Sequence, residues 1–290
     1  MGIAGAEWLW MQTGADGSAG WAGLLSAEVL AQSAAVPLGS ELLSWQTAWS
    51  LAIVALAALV QATVGFAAAL FGLPLLLWAG NNLVESQILI LTALFPQNVY
   101  AVWKLRQSIR WPEVLWPAAI RITALPIGIA GLAVVLTWSP SQINQFVGVM
   151  ILLVVAMQAL VGIEWKSARR PIWLLLVFGG SGILQGISGM SGPPMVLWVH
   201  AQRFDGLRAR GFLFAMYTTN FLPQVSLLWW KFGNTVFQAI SVGLLALPLV
   251  LLSAMLGLRL GAWLGDTWLR TATYVGLVLI ALASLLEPWL

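Results

Sequence analysis

Arg121 has the strongest claim to chemistry in this chain of 290 residues. It lies about ten residues into an apolar stretch at 112–138, near mid-depth if that stretch crosses a membrane. Charge at that depth is costly and usually functional. A guanidinium presents a planar fork of N–H donors that matches carboxylate, sulfonate or phosphate oxygens. No Asp or Glu sits at comparable depth to neutralise it, whereas a bound anion would. The alternative is a structural arginine that bonds backbone carbonyls at a helix break or snorkels to one face.

A second set of residues comes from a motif that occurs twice. The stretch Gln61 to Trp78 and the stretch Gly182 to Trp198 are both apolar and both interrupted by helix breakers. Each ends in Gly-x-Pro (Gly72-Leu73-Pro74 and Gly192-Pro193-Pro194), followed by three apolar residues and a Trp. Breakers inside hydrocarbon free backbone groups that water cannot satisfy, so they persist only where protein or a cavity satisfies them. Two breaks at matching places in two halves point to the binding site of a transporter. A half-helix starting at mid-membrane offers unpaired N–H groups and the positive end of its dipole, which suits an anion. Gly65, Gly72, Gly186, Gly189 and Gly192 would let backbone approach closely, and Thr63, Ser188 and Ser191 would add hydroxyls. The competing reading is that small residues merely let helices pack.

Amides make the third set. Gln61, Gln97, Asn98, Gln185, Asn220 and Gln224 lie within apolar segments, several beside prolines. They would line a polar cavity, or else form interhelical hydrogen bonds worth about 0.6 kcal/mol each. His200 reads as an interfacial histidine, and Glu85 as a solvated carboxylate at a helix start.

Other chemistry is excluded by composition. There is no Cys and one His, so disulfides, thiolate nucleophiles, metal clusters of these ligands and a metal cofactor are not expected. No nucleophile–base pair stands out, so no catalytic residue is assigned and the chain does not read as an enzyme. The thirteen basic residues are scattered over short loops, unlike a nucleic-acid track.

The elements that must position these residues follow from hydropathy. The chain is 60% hydrophobic and 8% charged, against about 25% charged in soluble domains, so it reads as an all-α polytopic membrane protein. Apolar segments fall at 42–79, 83–103, 112–138, 142–163, 172–200, 211–231, 235–262 and 267–288. The charged stretch 164–170 divides them into a first repeat at 42–163 and a second at 171–290. Phe95-Pro96-Gln97 matches Leu222-Pro223-Gln224, and Ala124-Leu125-Pro126 matches Ala246-Leu247-Pro248, which indicates an internal duplication.

Charge distinguishes two topologies. If all eight segments cross, Lys104, Arg106, Arg110, Lys166, Arg169, Arg170 and Lys231 lie opposite Arg203, Arg208, Arg210, Arg259 and Arg270. That division fits the positive-inside rule poorly. If the two broken segments each return to the face they entered, every one of these except Lys231 is cytoplasmic. Each half is then a re-entrant hairpin of two half-length helices plus three transmembrane helices. Three crossings per half make the two repeats inverted. Two full crossings per hairpin would give the same sidedness. Trp45, Trp49, Trp78, Trp138, Trp229 and Trp230 would mark the outer interface, and Trp103, Trp111, Trp165, Trp173, Trp198, Trp263 and Trp268 the inner one. Residues 1–41 carry acidic residues and no Lys or Arg. They read as an extracytoplasmic tail rather than a cleaved signal, with Trp21 to Val36 able to form an interfacial helix.

The paired motifs, Gly65-Phe66 with Gly72-x-Pro74 and Gly182…Gly186-x-x-Gly189-x-x-Gly192-Pro193-Pro194, resemble those of the sulfite exporter TauE/SafE family over residues 45–288. Ala67 to Ala69 depart from the clustered glycines common in the first motif. The resemblance implies a secondary carrier that moves sulfite, organosulfonates or related organic acids across the inner membrane. With Arg121 and the helix ends it gives the expectation of a small-anion transporter working by alternating access, embedded in the lipid bilayer and able to form a homo-oligomer. An anion channel on the same scaffold and a membrane subunit of an enzyme complex are the rivals.

Overall fold

A computed structural model describes residues 44–65, 67–159, 171–264 and 266–287. The expected tail at 1–41 and linker at 164–170 lie outside the described residues, as does the interfacial helix at Trp21 to Val36. Eleven helices and no strand occur among the described residues. They are α1 (Trp45–Val64), α2 (Ala68–Trp78), α3 (Leu83–Lys104), α4 (Trp111–Val135), α5 (Pro140–Ala159), α6 (Pro171–Ser188), α7 (Gly192–Ala201), α8 (Gly206–Phe232), α9 (Thr235–Leu245), α10 (Leu247–Leu264) and α11 (Asp266–Leu286).

Local signals set several of these boundaries. Ser44 accepts the Thr47 N–H at 3.1 Å and starts α1. Asn82 and Glu85 form a reciprocal capping box at the start of α3, which gives Glu85 a structural use. Asp205 caps α8 by accepting the Arg208 N–H at 2.9 Å. At the other ends, α1 and α6 stop alike. Gly65 takes φ +88° and donates its N–H to Gln61 O at 2.7 Å, and Gly189 takes φ +70° and donates to Gln185 O at 2.9 Å. Left-handed backbone favours glycine at both positions.

Four helices are long and apolar enough to cross a membrane among the described residues, and α9 with α10 makes a fifth if that pair is one span. A wide apolar exterior accompanies them, including Leu222, Met255, Ile127 and Trp230, all well exposed. Charged and amide residues make α3 and α8 more polar despite their 22 and 27 residues.

The hairpins differ in detail from the expectation of two equal half-length arms. At about 1.5 Å per residue, the 20 residues of α1 and 18 of α6 reach close to the full hydrocarbon thickness of about 30 Å. The 11 residues of α2 and 10 of α7 reach only half of it. The reason is where the break falls. It lies at the left-handed Gly65 and Gly189, not at the Gly-x-Pro elements, which are helical. The first hairpin returns to its own starting end, since the Asn81 amide donates to Ser50 Oγ at 2.9 Å.

The apolar segment expected at 235–262 is formed by two helices. It bends by 53° between α9 and α10. Pro248 at the second position of α10 has no N–H for the Leu244 carbonyl and crowds it. Gly243 meanwhile holds α9 close to α3, because a Cβ there would lie 2.9 Å from Thr92 Cβ.

Helices distant in sequence pack on one another: α4 lies on α6, and α10 lies on α1. Between α4 and α6 a Cβ at Gly128, Gly182 or Gly186 would meet backbone of the other helix within 2.3–2.6 Å. Helices α3 and α8 run antiparallel. Phe95 stacks on Phe221 at 3.9 Å, while Leu105 and Ile109 lie against Gly211. The same holds for α5 and α11, where Asn144 donates to Glu287 at 2.7 Å and Gly148 meets Ala281 O and Leu285.

One ion pair bears on topology. Arg208 Nε and Nη2, at the start of α8, donate to the Glu113 carboxylate at the start of α4, at 3.2 and 2.5 Å. The basic segments around 104–110 and 203–210 therefore lie at one end of the bundle. Eight full crossings would put them at opposite faces. Of the aromatic markers, Trp198 is not interfacial. It is buried in a cluster with Phe178, Phe204 and Phe212, at centroid distances of 5.2–5.6 Å.

Candidate functional site

Both hairpin breaks open on one cavity of about 70 Å³. Its wall includes Ala67 to Leu70 at the start of α2 and Gly189 to Pro193 at the start of α7. Since a water occupies about 10–15 Å³ on this measure, the space suits a few waters or one small anion. Leu73, Ile90, Leu91 and Leu94 close the apolar side.

Arg121 lines this cavity and is only 1% exposed. As the eleventh residue of α4 it lies about 15 Å along the helix axis, so the guanidinium sits at mid-bundle. Nη1 donates to Met216 O at 2.9 Å, and Nη2 donates to Gln185 Oε1 at 3.0 Å and to Ser191 Oγ at 2.5 Å. One cation thus fastens α4 to α6, to the second break and to α8. Nε has no protein partner. Among the described residues no carboxylate pairs with Arg121, Glu113 being engaged by Arg208 and by Arg110 at 3.7 Å.

The arginine fixes an ordered amide chain behind it. Because Gln185 Oε1 accepts from Arg121, its Nε2 is the donor, to Gln224 Oε1 at 2.6 Å. Asn220 Nδ2 donates to the same oxygen at 3.0 Å, and Gln224 Nε2 donates to Gln185 O at 3.4 Å. Across the cavity Gln61 Nε2 donates to Asn98 Oδ1 at 2.7 Å. The Gln-to-Gly spacing of four therefore places Gln61 and Gln185 at equivalent points one turn before each break.

Of the fifteen residues named from sequence, Gln61, Asn98, Arg121, Gln185, Gly189, Ser191, Gly192 and Asn220 line the cavity, and Gly186 packs α6 against α4. Gln224 is wholly buried one layer behind. Thr63 and Ser188 turn their hydroxyls back on their own helices, to Val60 O at 2.7 Å and Leu184 O at 3.0 Å. Gln97 is buried outside the wall. Gly65 ends α1, and a Cβ there would lie 3.8 Å from Arg210 Cγ. Gly72 is not at a tip. It is inside α2, where a Cβ would press Ile90 at 3.0 Å and Ala57 at 3.2 Å, so its small size serves packing.

The two tips are chemically unequal. At the start of α7, Pro193 and Pro194 carry no N–H, so that end offers few donors. At the start of α2 no proline intervenes, and the first N–H groups lack partners within the helix. Ala67 adopts φ +82°, which costs about 1–2 kcal/mol for a residue with a Cβ.

Gln87, Tyr217 and the Met216 carbonyl belong to the site and were not singled out from sequence. Gln87 is five residues into α3, next to a capping box, and looks there like part of a solvated start. Its Nε2 instead donates to Ile187 O at 2.9 Å, which joins α3 to the second hairpin. Tyr217 lines the cavity beside Met216, but a lone Tyr in an apolar helix gives no signal of its own.

A model of the family described as sulfite exporter TauE/SafE matches residues 50–284. Neither a curated protein nor a solved structure matches the chain significantly.

Proposed function

Because the chain belongs to the sulfite exporter TauE/SafE family, we propose that it is a secondary transporter of small anions, sulfite, organosulfonates or related acids, and that the cavity at Arg121 holds them. The observation that carries this reading is a buried guanidinium without a carboxylate partner among the described residues, beside a cavity bounded by both hairpin breaks. An anion supplies the missing charge, meeting Arg121 on one side and the start of α2 on the other.

The repeats at 42–163 and 171–290 are inverted, each a re-entrant hairpin followed by three crossings. Reciprocal packing of α4 on α6 and α10 on α1 supports this, as do the antiparallel pairs α3 with α8 and α5 with α11. The end bearing Arg208 and Glu113 faces the cytoplasm of an inner membrane and the N-terminal tail lies outside. Rocking of one half against the other exposes the cavity to each side in turn. Flux of sulfite into proteoliposomes tests the carrier. Saturation, with stimulation by sulfite on the far side, is the expected behaviour. Linear flux without such stimulation means a channel.

A further inference from the structure

We infer that the site selects an anion that carries its own hydrogen-bond donor, a hydrogen oxyanion or a hydroxyl-bearing acid, over one that offers only acceptors. This rests on the anion reading above and adds a chemical class to it. Arg121 retains donors, since Nε has no protein partner. Two side chains that share the cavity wall with Arg121 retain the opposite. Gln87 is 3% exposed and Asn220 is 2% exposed, and each keeps an amide oxygen without a protein partner.

These oxygens are set by the network. The Asn220 amide must donate to Gln224 Oε1, because Gln224 Nε2 is turned to Gln185 O and the series starts at a donor-only arginine. The Gln87 amide must donate to a backbone carbonyl, Ile187 O. In both cases the oxygen is left over and accepts only. A sulfonate, sulfate or fully deprotonated sulfite would satisfy Arg121 and set its lone pairs against those oxygens. Hydrogensulfite, or a sulfonate with a hydroxyl, satisfies both signs at once.

The test compares two monoanions of nearly the same size, hydroxymethanesulfonate and methanesulfonate, by calorimetric titration of the full-length protein. Binding at least about tenfold tighter for the hydroxylated anion is expected, as buried acceptors left unpaired are strongly discriminating. In Gln87→Met and in Asn220→Leu that ratio should fall toward one. Wild type alone gives a second readout. The affinity for total sulfite should fall as pH rises through the range where hydrogensulfite loses its proton. Equal affinity for both sulfonates, with pH-independent sulfite binding, overturns the inference and leaves the anion site standing. Failure to bind either sulfonate or sulfite at any pH overturns both.

Discussion

Replacing Gly182 by Ala tests whether the α4–α6 contact sets the geometry at Arg121. The new Cβ would lie 2.3 Å from the Arg121 carbonyl oxygen and 3.0 Å from Ala124 Cβ, where ordinary contact begins at 3.4 Å. The helices must part by about 1 Å, the difference of those distances, because the obstructing atom is backbone and cannot rotate away. Overpacking of this kind costs about 1–3 kcal/mol. A 1 Å shift also stretches the bonds from Nη2 to Gln185 and Ser191, from 3.0 and 2.5 Å toward the limit of useful hydrogen bonding. Melting of the purified protein should fall by about 2–12 °C, and the stabilisation it gains from added sulfite should shrink. Gly179 and Gly180 on the same helix are the controls, since a Cβ at either meets nothing within 4 Å. Their Ala variants should match or slightly exceed wild type. A Gly182→Ala protein that melts and responds to sulfite like those controls would refute the claim that this contact is tight.

Three further outcomes follow. Ala67→Gly should raise the melting temperature through a net gain of about 0.5–1 kcal/mol, relief of left-handed strain less the entropy of glycine. Ala67→Val should lower it, and both are read by thermal melting. Single cysteines can be placed on a background without Cys. Gln107→Cys and Leu207→Cys should label from one face and Ser139→Cys from the other, because the Arg208–Glu113 pair holds the first two loops at one end. Opposite labelling of the first two would contradict the hairpins. Gln185→Leu should weaken sulfite binding more than Gln97→Leu, measured by titration, since Gln185 contacts Arg121 and Gln97 lies outside the cavity wall.

The helical architecture and the burial of Arg121 midway along its helix were legible because both depend on patterns one residue deep: hydropathy, and a charge where charge is costly. The breaks were legible as glycine-bearing interruptions of both stretches, but not which glycine ends the helix. Gly-x-Pro looks like a helix end, yet Pro74 is tolerated inside α2, and the actual end is chosen by a left-handed glycine four residues after a glutamine. Gln87 and Tyr217 were not legible. Their roles depend on which neighbouring helix they face, and Gln87 reaches a carbonyl a hundred positions away in the chain. The end-to-end relation of residues 113 and 208 is equally non-local, although charge counting had favoured it.

The most direct measurement is titration of sulfite into wild type, Arg121→Gln and Arg121→Lys, each shown to be monodisperse and cooperatively melting. Arg121→Gln should lose at least about thirtyfold in affinity, the lower end of the ~2–5 kcal/mol cost of removing one member of a buried charge pair. Arg121→Lys should retain part of the binding, because it keeps the charge but not the fork. A folded Arg121→Gln protein that binds sulfite as tightly as wild type would contradict a role for Arg121 in holding the anion.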